Sequence, residues 1–324
     1  LYYVLSDNLP FNNHYENMMQ ARTWGFKVPL YIERCYHTNE IFNFIEYWNT
    51  HRHQLPFDTD GVVIKLNNLE QQRQLGLTAK SPRWAVAYKF KAEQAQTRLL
   101  SISYQVGRTG VITPVANLHP VHLAGTVIKR CSLHNADIIQ KLNLCMNDMV
   151  VIEKGGEIIP KIVDINLAER PADATPVSFI THCPECNTPL IRNESEALHY
   201  CTNSDYCPPQ IKGGLEHFIS RKAMNIDSLG EGKLEVLLDQ GLIKTSADLY
   251  TLQYAQLLGL EKTIIDGDTQ RSISFREKTV ENILTGIEKS KQIPFNKVLF
   301  ALGIRHVGAT IAGKLATAYR NINA

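Results

Sequence analysis

Two short segments, Asp60-Gly61-Val62-Val63-Ile64-Lys65 and Trp84-Ala85-Val86-Ala87-Tyr88-Lys89-Phe90, decide how the first part of this 324-residue chain folds. Both are rich in β-branched and aromatic residues and have no internal proline, which is typical of strands. Because side chains alternate along a strand, Val62 and Ile64 share one face and Lys65 lies on the other. The two segments therefore predict neighbouring strands with a lysine at the end of each.

The second segment carries large side chains on one strand face and small ones on the other. Its large side chains share one face, and Lys89 lies on the opposite face with only Ala85 and Ala87 beside it. Such a face leaves a hollow with an ammonium group at its edge, into which a flat ligand bearing a phosphate would fit. Taken alone, either Lys65 or Lys89 could equally be an ordinary surface lysine at a strand end.

Taken as a pair, the two segments closely resemble the fourth and fifth nucleotidyltransferase motifs of bacterial NAD-dependent DNA ligases. The resemblance implies that Lys65 and Lys89 are catalytic, cofactor-binding residues that contact the adenylate phosphate and neutralise its charge. It also implies that Asp60 holds a divalent cation, Mg²⁺ or Mn²⁺, or orients Lys65. Gly61 would let the backbone approach the ligand closely.

Composition is that of a soluble globular protein, with 44% hydrophobic and 20% charged residues. No apolar run approaches the ~20 residues that a membrane span requires. The net charge is only +2, so nucleic-acid affinity must come from local patches. Residues 289–324 contain six basic and no acidic residues, which indicates such a patch or simply a solvated helical face.

The chain begins with Leu1, not Met, and residues 1–5 have the pattern of a strand. The family's nucleophile is the lysine of a Lys-x-Asp-Gly motif, which the sequence does not contain. On the resemblance, we expect a fragment, with the nucleophile upstream of Leu1 and a terminal BRCT domain beyond Ala324.

The expected fold class is multidomain α+β, with four parts in family order. They are the C-terminal part of an adenylation (nucleotidyltransferase) domain at 1–95, an OB-fold β-barrel at 96–170, a four-cysteine zinc finger at 171–212 and an incomplete all-α helix-hairpin-helix domain at 213–324. In the first part, apolar spacing predicts helices over residues 15–24, 39–50 and 69–76.

The second part reads as all-β. Alternating patterns predict strands at 102–106, 111–116, 127–128, 149–153 and 158–160, with a brief helix at 135–142. Five short strands and one helix suit an OB-fold. The turn Gly107-Arg108-Thr109-Gly110 and residues 132–137 resemble the OB domain of the ligase family, which implies that Arg108 and Thr109 contact the DNA backbone across the minor groove. Alternatively, Arg108 is simply an exposed turn residue.

Four cysteines, Cys183, Cys186, Cys201 and Cys207, form a C-x2-C and a C-x5-C pair. Four thiolates suit a closed, structural Zn²⁺ site, and the residues between the pairs leave room for a short hairpin. A segment this small has too little core to fold alone, so a metal would stabilise it. The alternative is disulfides, and His182 is a poorly placed competing ligand because it adjoins the first cysteine. The spacing matches the zinc finger of the ligase family.

The last part turns helical after Gly213-Gly214. Two Gly-x-Gly-type turns precede helices at 234–239 and 309–319, and such turns present backbone N–H groups to a phosphate. They resemble helix-hairpin-helix motifs, which bind the DNA backbone without reading sequence. Glycines also cap helices elsewhere. The DNA-binding residues expected here are Gly230, Gly232, Lys233, Gly303, Arg305 and Gly308.

One stretch departs from the family pattern. A further hairpin is expected near Gly259, but residues 262–275 read as a polar loop before a helix at 277–290.

The resemblance implies an NAD-dependent DNA ligase that seals 5′-phosphate/3′-hydroxyl nicks in duplex DNA during replication and repair, through enzyme-adenylate and DNA-adenylate intermediates. It implies a monomer in the bacterial cytosol, with NAD, structural Zn²⁺ and Mg²⁺ or Mn²⁺ as cofactors. Two alternatives are a non-catalytic DNA-binding module and an ATP-dependent nucleotidyltransferase. The latter rarely has this order of zinc and hairpin motifs.

Overall fold

The computed structural model describes residues 1–6, 8–78, 81–154, 159–266 and 269–322. The chain divides into two compact units. The first comprises residues 1–96, 121–128 and 151–163, and the second comprises 97–120, 129–150 and 164–324.

The first unit begins with three helices and a two-stranded sheet. In chain order these are α1 (His14–Thr23), α2 (Thr38–His51), β1 (Gly61–Lys65), α3 (Leu69–Leu75) and β2 (Ala85–Lys89). All three predicted helices are present within one residue of their expected ends. Residues 1–6 form neither helix nor strand, so the strand expected at 1–5 is wrong. Aromatic and apolar composition alone does not form a strand without a partner to accept its hydrogen bonds.

Helix α2 explains why β1 and β2 lie where they do. Ile45 and Trp48 are buried on one face of α2, and they form a cluster with Phe90 at the end of the sheet. Val62 and Ile64, from the apolar face of β1, pack against the same cluster. Both lysines lie on the opposite face of the sheet, where Val63 and Lys89 are exposed and Lys65 is partly buried.

The second fold element is a closed five-stranded barrel with strand order β3-β4-β5-β7-β6. Its members in chain order are β3 (Glu93–Val106), β4 (Ile112–Leu123), β5 (Thr126–Ser132), α4 (Ala136–Lys141), β6 (Met149–Lys154) and β7 (Lys161–Ile165). The predicted OB-type architecture is confirmed.

The last barrel strand lies later than expected. Ile159 and Pro160 precede β7 rather than forming it, and the strand occupies Lys161–Ile165. Pro160 lacks the N–H that a strand interior needs, which explains why pairing begins after it. Ile158, the first residue of the predicted strand, lies with residues 155–157 outside the described residues.

Between the barrel and the helical region lies a small hairpin of two strands, β8 (Leu190–Ile191) and β9 (Tyr200–Cys201). It is the short hairpin predicted between the cysteine pairs. The last cysteine of the second pair, Cys207, is directly followed by a helix.

The helical region contains six helices and a second hairpin among the described residues. They are α5 (Pro208–Ile219), α6 (Glu231–Asp239), α7 (Tyr254–Leu257), β10 (Glu261–Asp266), β11 (Thr269–Ser274), α8 (Glu277–Ser290), α9 (Phe295–Ala301) and α10 (Ala309–Tyr319). One apolar core joins them, with Leu234, Leu237, Phe275 and Ile283 almost fully buried.

Two predictions for this region are wrong. The helical part begins at Pro208, so Gly213 and Gly214 lie inside α5 rather than before it. The predicted polar loop at 262–275 is largely the antiparallel hairpin β10–β11, in which Glu261 pairs with Ser274. Its isoleucines do not alternate with polar residues, since Ile264 and Ile265 are adjacent, so the local pattern gives no strand signal and the pairing comes from backbone hydrogen bonds across the hairpin. The helices at 277–290 and 309–319 are confirmed.

Candidate adenylate, zinc and nucleic-acid sites

The two candidate catalytic lysines lie on one face of the β1–β2 sheet. In the antiparallel register Lys65 faces Ala85 and Lys89 faces Gly61, and Val63 faces Ala87 between them. Residues paired across antiparallel strands point to the same side, so this face carries both lysines and otherwise only small or short side chains. The lysines stand at opposite ends, four residues or roughly 13 Å apart along the strands.

Lys65 is partly buried and has a specific environment. Its ammonium group donates a hydrogen bond to the carbonyl oxygen of Tyr2 and lies 3.4 Å from the centre of the Tyr2 ring. Burial lowers the pKa of Lys65 to about 8. The group therefore carries less than a full charge above that pH, unless an anion binds beside it.

A buried histidine lies near Lys65. The ring of His14 lies 6.2 Å from that of Trp84, and burial, followed by the charge of Lys65, lowers the pKa of His14 to about 4. Its Nε2 has no hydrogen-bond partner among the described residues. His14 is thus neutral at physiological pH and leaves Lys65 as the cation of this corner.

Lys89 is more exposed than Lys65, and it lies close to the carboxylate of Asp60. Its Nζ lies 3.9 Å from Oδ2 of Asp60, and the two side chains are 58% and 62% exposed. Such a pair is weak and exchanges readily for another partner. Lys89 and Asp60 are therefore both available to a ligand or a cation at this end of the sheet.

Gly61 has a structural reason to be glycine. A Cβ atom at this position would lie 2.1 Å from the carbonyl oxygen of Tyr88 on the paired strand. The space that a side chain would fill is thus taken by β2. This observation differs from the expected role at the ligand, since the neighbouring strand alone already requires glycine here.

The four predicted zinc ligands converge. The sulfur atoms of Cys183, Cys186, Cys201 and Cys207 all lie within 4.8 Å of one another. The Cys186–Cys201 and Cys183–Cys207 sulfur separations are 3.4 and 3.9 Å. Tetrahedral zinc–thiolate bonds of about 2.3 Å give sulfur separations of about 3.8 Å, so the donor set fits Zn²⁺.

The pKa values of two thiols in this cluster shift in opposite directions. Burial raises the pKa of Cys207 to about 12, whereas a hydrogen bond with Thr188 lowers the pKa of Cys186 to about 6. Thiolates this close together repel one another, and a bound cation offsets that repulsion. His182 is not part of the cluster, and its Nδ1 lies 3.0 Å from the hydroxyl of Thr181.

The barrel turn with Arg108 and Thr109 is exposed, as expected of a binding turn. Gly110 closes it at a φ of 79° and meets the zinc segment directly, because its carbonyl accepts a hydrogen bond of 2.8 Å from the N–H of Cys201. A Cβ at Gly110 would lie 2.2 Å from the Cys201 carbonyl oxygen. The zinc segment therefore supports the position of this turn.

Arg108 also touches the helical region. A Cβ built at Gly213 would lie 2.7 Å from Cβ of Arg108, and one at Gly303 would lie 2.9 Å from its Nη1. This contact explains why α5 contains a glycine at position 213. Sequence reasoning missed Gly213, because it placed this glycine before the helix and not inside it.

The first Gly-x-Gly turn opens α6, with Gly230 as its N-cap and Gly232 in its first turn. The Nζ of Lys233 donates a 2.7 Å hydrogen bond to the carbonyl of Ser228, and burial lowers the pKa of this lysine. A Cβ on Gly232 would lie 2.5 Å from Cδ1 of Ile273 in β11. The β10–β11 hairpin thus packs on the first candidate DNA-binding turn.

The second such turn lies between α9 and α10. Gly303 has a φ of 65°, and Gly308 is the N-cap of α10. Arg305 lies in the turn and forms an ion pair of 2.6 Å with Glu196 in the loop between β8 and β9. The turn therefore has the backbone expected of a phosphate-binding hairpin, whereas its arginine already has a protein partner.

No helix within the described ranges is both long and apolar enough to cross a membrane.

Comparison with known protein families gives a consistent assignment along the chain. Family models match residues 1–93 as "NAD-dependent DNA ligase adenylation domain", 96–174 as "NAD-dependent DNA ligase OB-fold domain" and 182–208 as "NAD-dependent DNA ligase C4 zinc finger domain". A fourth model, "Helix-hairpin-helix motif", matches residues 297–324.

Curated relatives agree. The chain is 55% identical over its whole length to a DNA ligase of Phocaeicola vulgatus and 56% identical to one of Flavobacterium johnsoniae. A DNA ligase of Porphyromonas gingivalis is 47% identical over 323 residues. The chain spans about half the length of these relatives, 46–47%. With three ligase-specific domains in succession and ligase relatives along its full length, the chain belongs to the NAD-dependent DNA ligase family.

Proposed function

We propose that this chain supplies the adenylate-supporting lysines and the DNA-binding modules of an enzyme that seals nicks in duplex DNA. A lysine would attack the α-phosphate of NAD with release of nicotinamide mononucleotide, and the 5′-phosphate of the nick would then take the adenylate with release of the lysine. The 3′-hydroxyl oxygen then attacks that phosphorus, a phosphodiester bond forms, the phosphoanhydride bond breaks and AMP leaves. The reaction class fits DNA replication and repair.

The observation that carries this proposal is the shared face of Lys65 and Lys89. The ammonium groups of these two lysines border a surface of small side chains, which leaves room for a flat group with a phosphate. The residues of this surface are Gly61, Val63, Ala85 and Ala87. Lys65 and Lys89 would neutralise charge on the non-bridging oxygens as the phosphorus passes through its transition state.

Asp60 completes this end of the sheet. Its exposed carboxylate beside Lys89 is of the type that Mg²⁺ or Mn²⁺ binds, and a bound ion would supply further neutralisation of phosphate charge. The same carboxylate can instead orient Lys89 before the ligand binds, whereas Lys65, the lysine that Asp60 was expected to orient, lies at the opposite end of β1. Both roles keep a positive charge directed at the phosphate.

The remaining modules would hold the nicked duplex. We assign residues 1–95 to the adenylation domain, 96–170 to the OB barrel, 171–212 to the zinc finger and 213–324 to the helix-hairpin-helix domain. The β8–β9 segment lies between the barrel turn and the helices and joins them. The proposed DNA contacts are those of the exposed barrel turn, Arg108 and Thr109, and of the two glycine turns, Gly230, Gly232, Lys233, Gly303 and Gly308.

The cellular setting follows from the family alone. We infer a monomer that acts on nicked duplex DNA in the bacterial cytosol.

The test supplies a preadenylated nick, because the sequence holds no Lys-x-Asp-Gly motif to receive adenylate from NAD. Sealing by the zinc-loaded chain with Mg²⁺ should fall by at least about 100-fold in Lys89→Ala, the range expected when one electrostatic stabiliser is lost. Lys27→Ala, an exposed lysine of the same unit, is the control and should seal normally. Equal sealing by wild type and Lys89→Ala would remove the proposed role.

A second candidate function is a DNA-binding module without chemistry. The matches to the OB-fold and helix-hairpin-helix models favour it, because such modules commonly bind nucleic acid and need no chemistry to do so. Tight, salt-dependent binding to a preadenylated nick with no sealing at any Mg²⁺ concentration would select this alternative.

A further inference from the structure

The guanidinium of Arg305 is engaged within the protein by two different side chains. Its Nη2 donates to Oε1 of Glu196 at 2.6 Å and to the hydroxyl oxygen of Tyr200 at 2.9 Å. Its central carbon lies 4.5 Å from the centre of the Tyr200 ring. A charge-assisted hydrogen bond combined with a cation–π contact is more specific than a typical exposed ion pair.

These partners belong to the zinc-bearing hairpin. Tyr200 is in β9, immediately before the zinc ligand Cys201, and its ring is buried. Glu196 lies in the loop between β8 and β9, whereas Arg305 lies in the turn between α9 and α10. The contact therefore joins two segments 109 residues apart within the second unit.

Glu196 is itself held in place for this contact. Its Oε2 accepts a 3.1 Å hydrogen bond from Asn193, and its backbone carbonyl accepts one of 2.9 Å from Nε of Arg192. Arg192 in turn pairs with Asp137 of α4 at 2.8 Å. The hydrogen bond from Arg305 is the main cause that lowers the pKa of Glu196, so the carboxylate is charged at neutral pH.

We propose that Arg305 is a positioning residue that fastens the α9–α10 hairpin to the zinc-bearing hairpin through Glu196 and Tyr200, and that it does not contact a DNA phosphate. This assignment replaces the DNA contact expected of Arg305 from its motif. Its consequence for DNA binding rests on the proposed function, whereas the fastening does not. By fixing the α9–α10 turn, Arg305 would hold the backbone at Gly308 in position for the duplex.

The fastening is tested by a double-mutant cycle in thermal unfolding of the zinc-loaded chain. Glu196→Ala and Arg305→Ala should each lower the Tm by about 2–4 °C, and the double variant should lower it by clearly less than the sum of the two, because both changes remove the same ion pair. Glu288→Ala, which breaks the exposed pair of Glu288 with Lys291, is the matched control and should combine additively with Arg305→Ala. Additive effects of Glu196→Ala and Arg305→Ala would overturn the proposal.

The second half of the proposal is tested by binding to nicked duplex over a range of salt concentrations. Arg305→Lys should weaken binding about as much as Arg305→Ala, by roughly three- to tenfold, because lysine keeps the charge but cannot reproduce the planar contact. Glu196→Ala should weaken binding too, and the salt slope should stay unchanged. If Arg305→Ala instead lowers the slope by about 0.9 while Arg305→Lys and Glu196→Ala bind normally, Arg305 contacts a phosphate and the proposal fails.

The two experiments separate this proposal from the proposed function. A wild-type chain that does not bind nicked duplex, yet shows coupling between Glu196 and Arg305 in unfolding, would contradict the DNA-binding function and support the fastening. A chain that binds DNA but shows no such coupling would support the DNA-binding function and contradict the fastening.

Discussion

The zinc cluster and the lysine face are built on opposite principles. The four thiols come from one short stretch, converge within 4.8 Å and are mostly buried, so the cluster is complete with a metal alone. The two lysines come from neighbouring strands and stand at opposite ends of the sheet, with Lys89 exposed and Lys65 partly buried. The zinc cluster is thus defined by its own side chains, whereas the lysine face needs a ligand placed between the two lysines.

The largest expected effect is on the zinc cluster. Cys183→Ser should reduce bound zinc from about one per chain to none and unfold the β8–β9 segment, since structural zinc supplies much of the folding free energy of such small domains. Metal analysis and thermal unfolding measure both changes. Cys35→Ser, which alters a partly exposed cysteine outside the cluster, should change neither. A Cys183→Ser protein with full zinc and an unchanged Tm would contradict the assignment.

A substitution of Gly61 tests how closely the two strands that carry the lysine face approach each other. Gly61→Ala should lower the free energy of unfolding by about 1–3 kcal/mol, because the added Cβ collides with the Tyr88 carbonyl of the paired strand. Gly214→Ala is the control, since nothing lies within 4 Å of its Cβ position in α5 and alanine favours a helix by up to about 1 kcal/mol. Denaturant unfolding of the first unit measures the first effect, and equal stability of both variants would contradict the close approach.

The pH dependence of nick sealing should depend on Lys65. Burial lowers its pKa to about 8, so in the free protein the ammonium form is complete below that pH and is lost as the pH rises through it. For sealing of a preadenylated nick, kcat/KM should fall by up to about tenfold per pH unit above 8. Lys65→Arg keeps its charge and should remove this decline, even if its overall rate is lower. An identical decline in Lys65→Arg would assign the titration to another group.

Much of this organisation could be predicted from the sequence. Period-two alternation placed Lys65 and Lys89 on one face, because strand geometry is local and the register of an antiparallel pair follows from which face is buried. The cysteine spacing predicted the zinc cluster, since all four ligands come from one short stretch of chain. The helix at 277–290 was predicted to the residue, since its apolar stripe and termini are local features.

What the sequence could not predict were partners distant along the chain. The contact of Arg305 with Glu196 joins residues 109 apart, and no local pattern indicates it. The hairpin β10–β11 was taken for a loop because its polar residues outnumber its isoleucines, and Ile273 packs on Gly232, far away in the sequence. Gly61 was predicted to be glycine because of a ligand, whereas the close approach of the neighbouring strand already requires it.

Whether Lys65 and Lys89 act on the same phosphate can be measured by single-turnover sealing of a preadenylated nick. Rates are compared for Lys65→Ala, Lys89→Ala and the double variant at saturating DNA. If both ammonium groups stabilise one transition state, the double variant should lose clearly less than the product of the two single losses. Losses that multiply would mean that the two lysines act independently and would contradict a shared adenylate site.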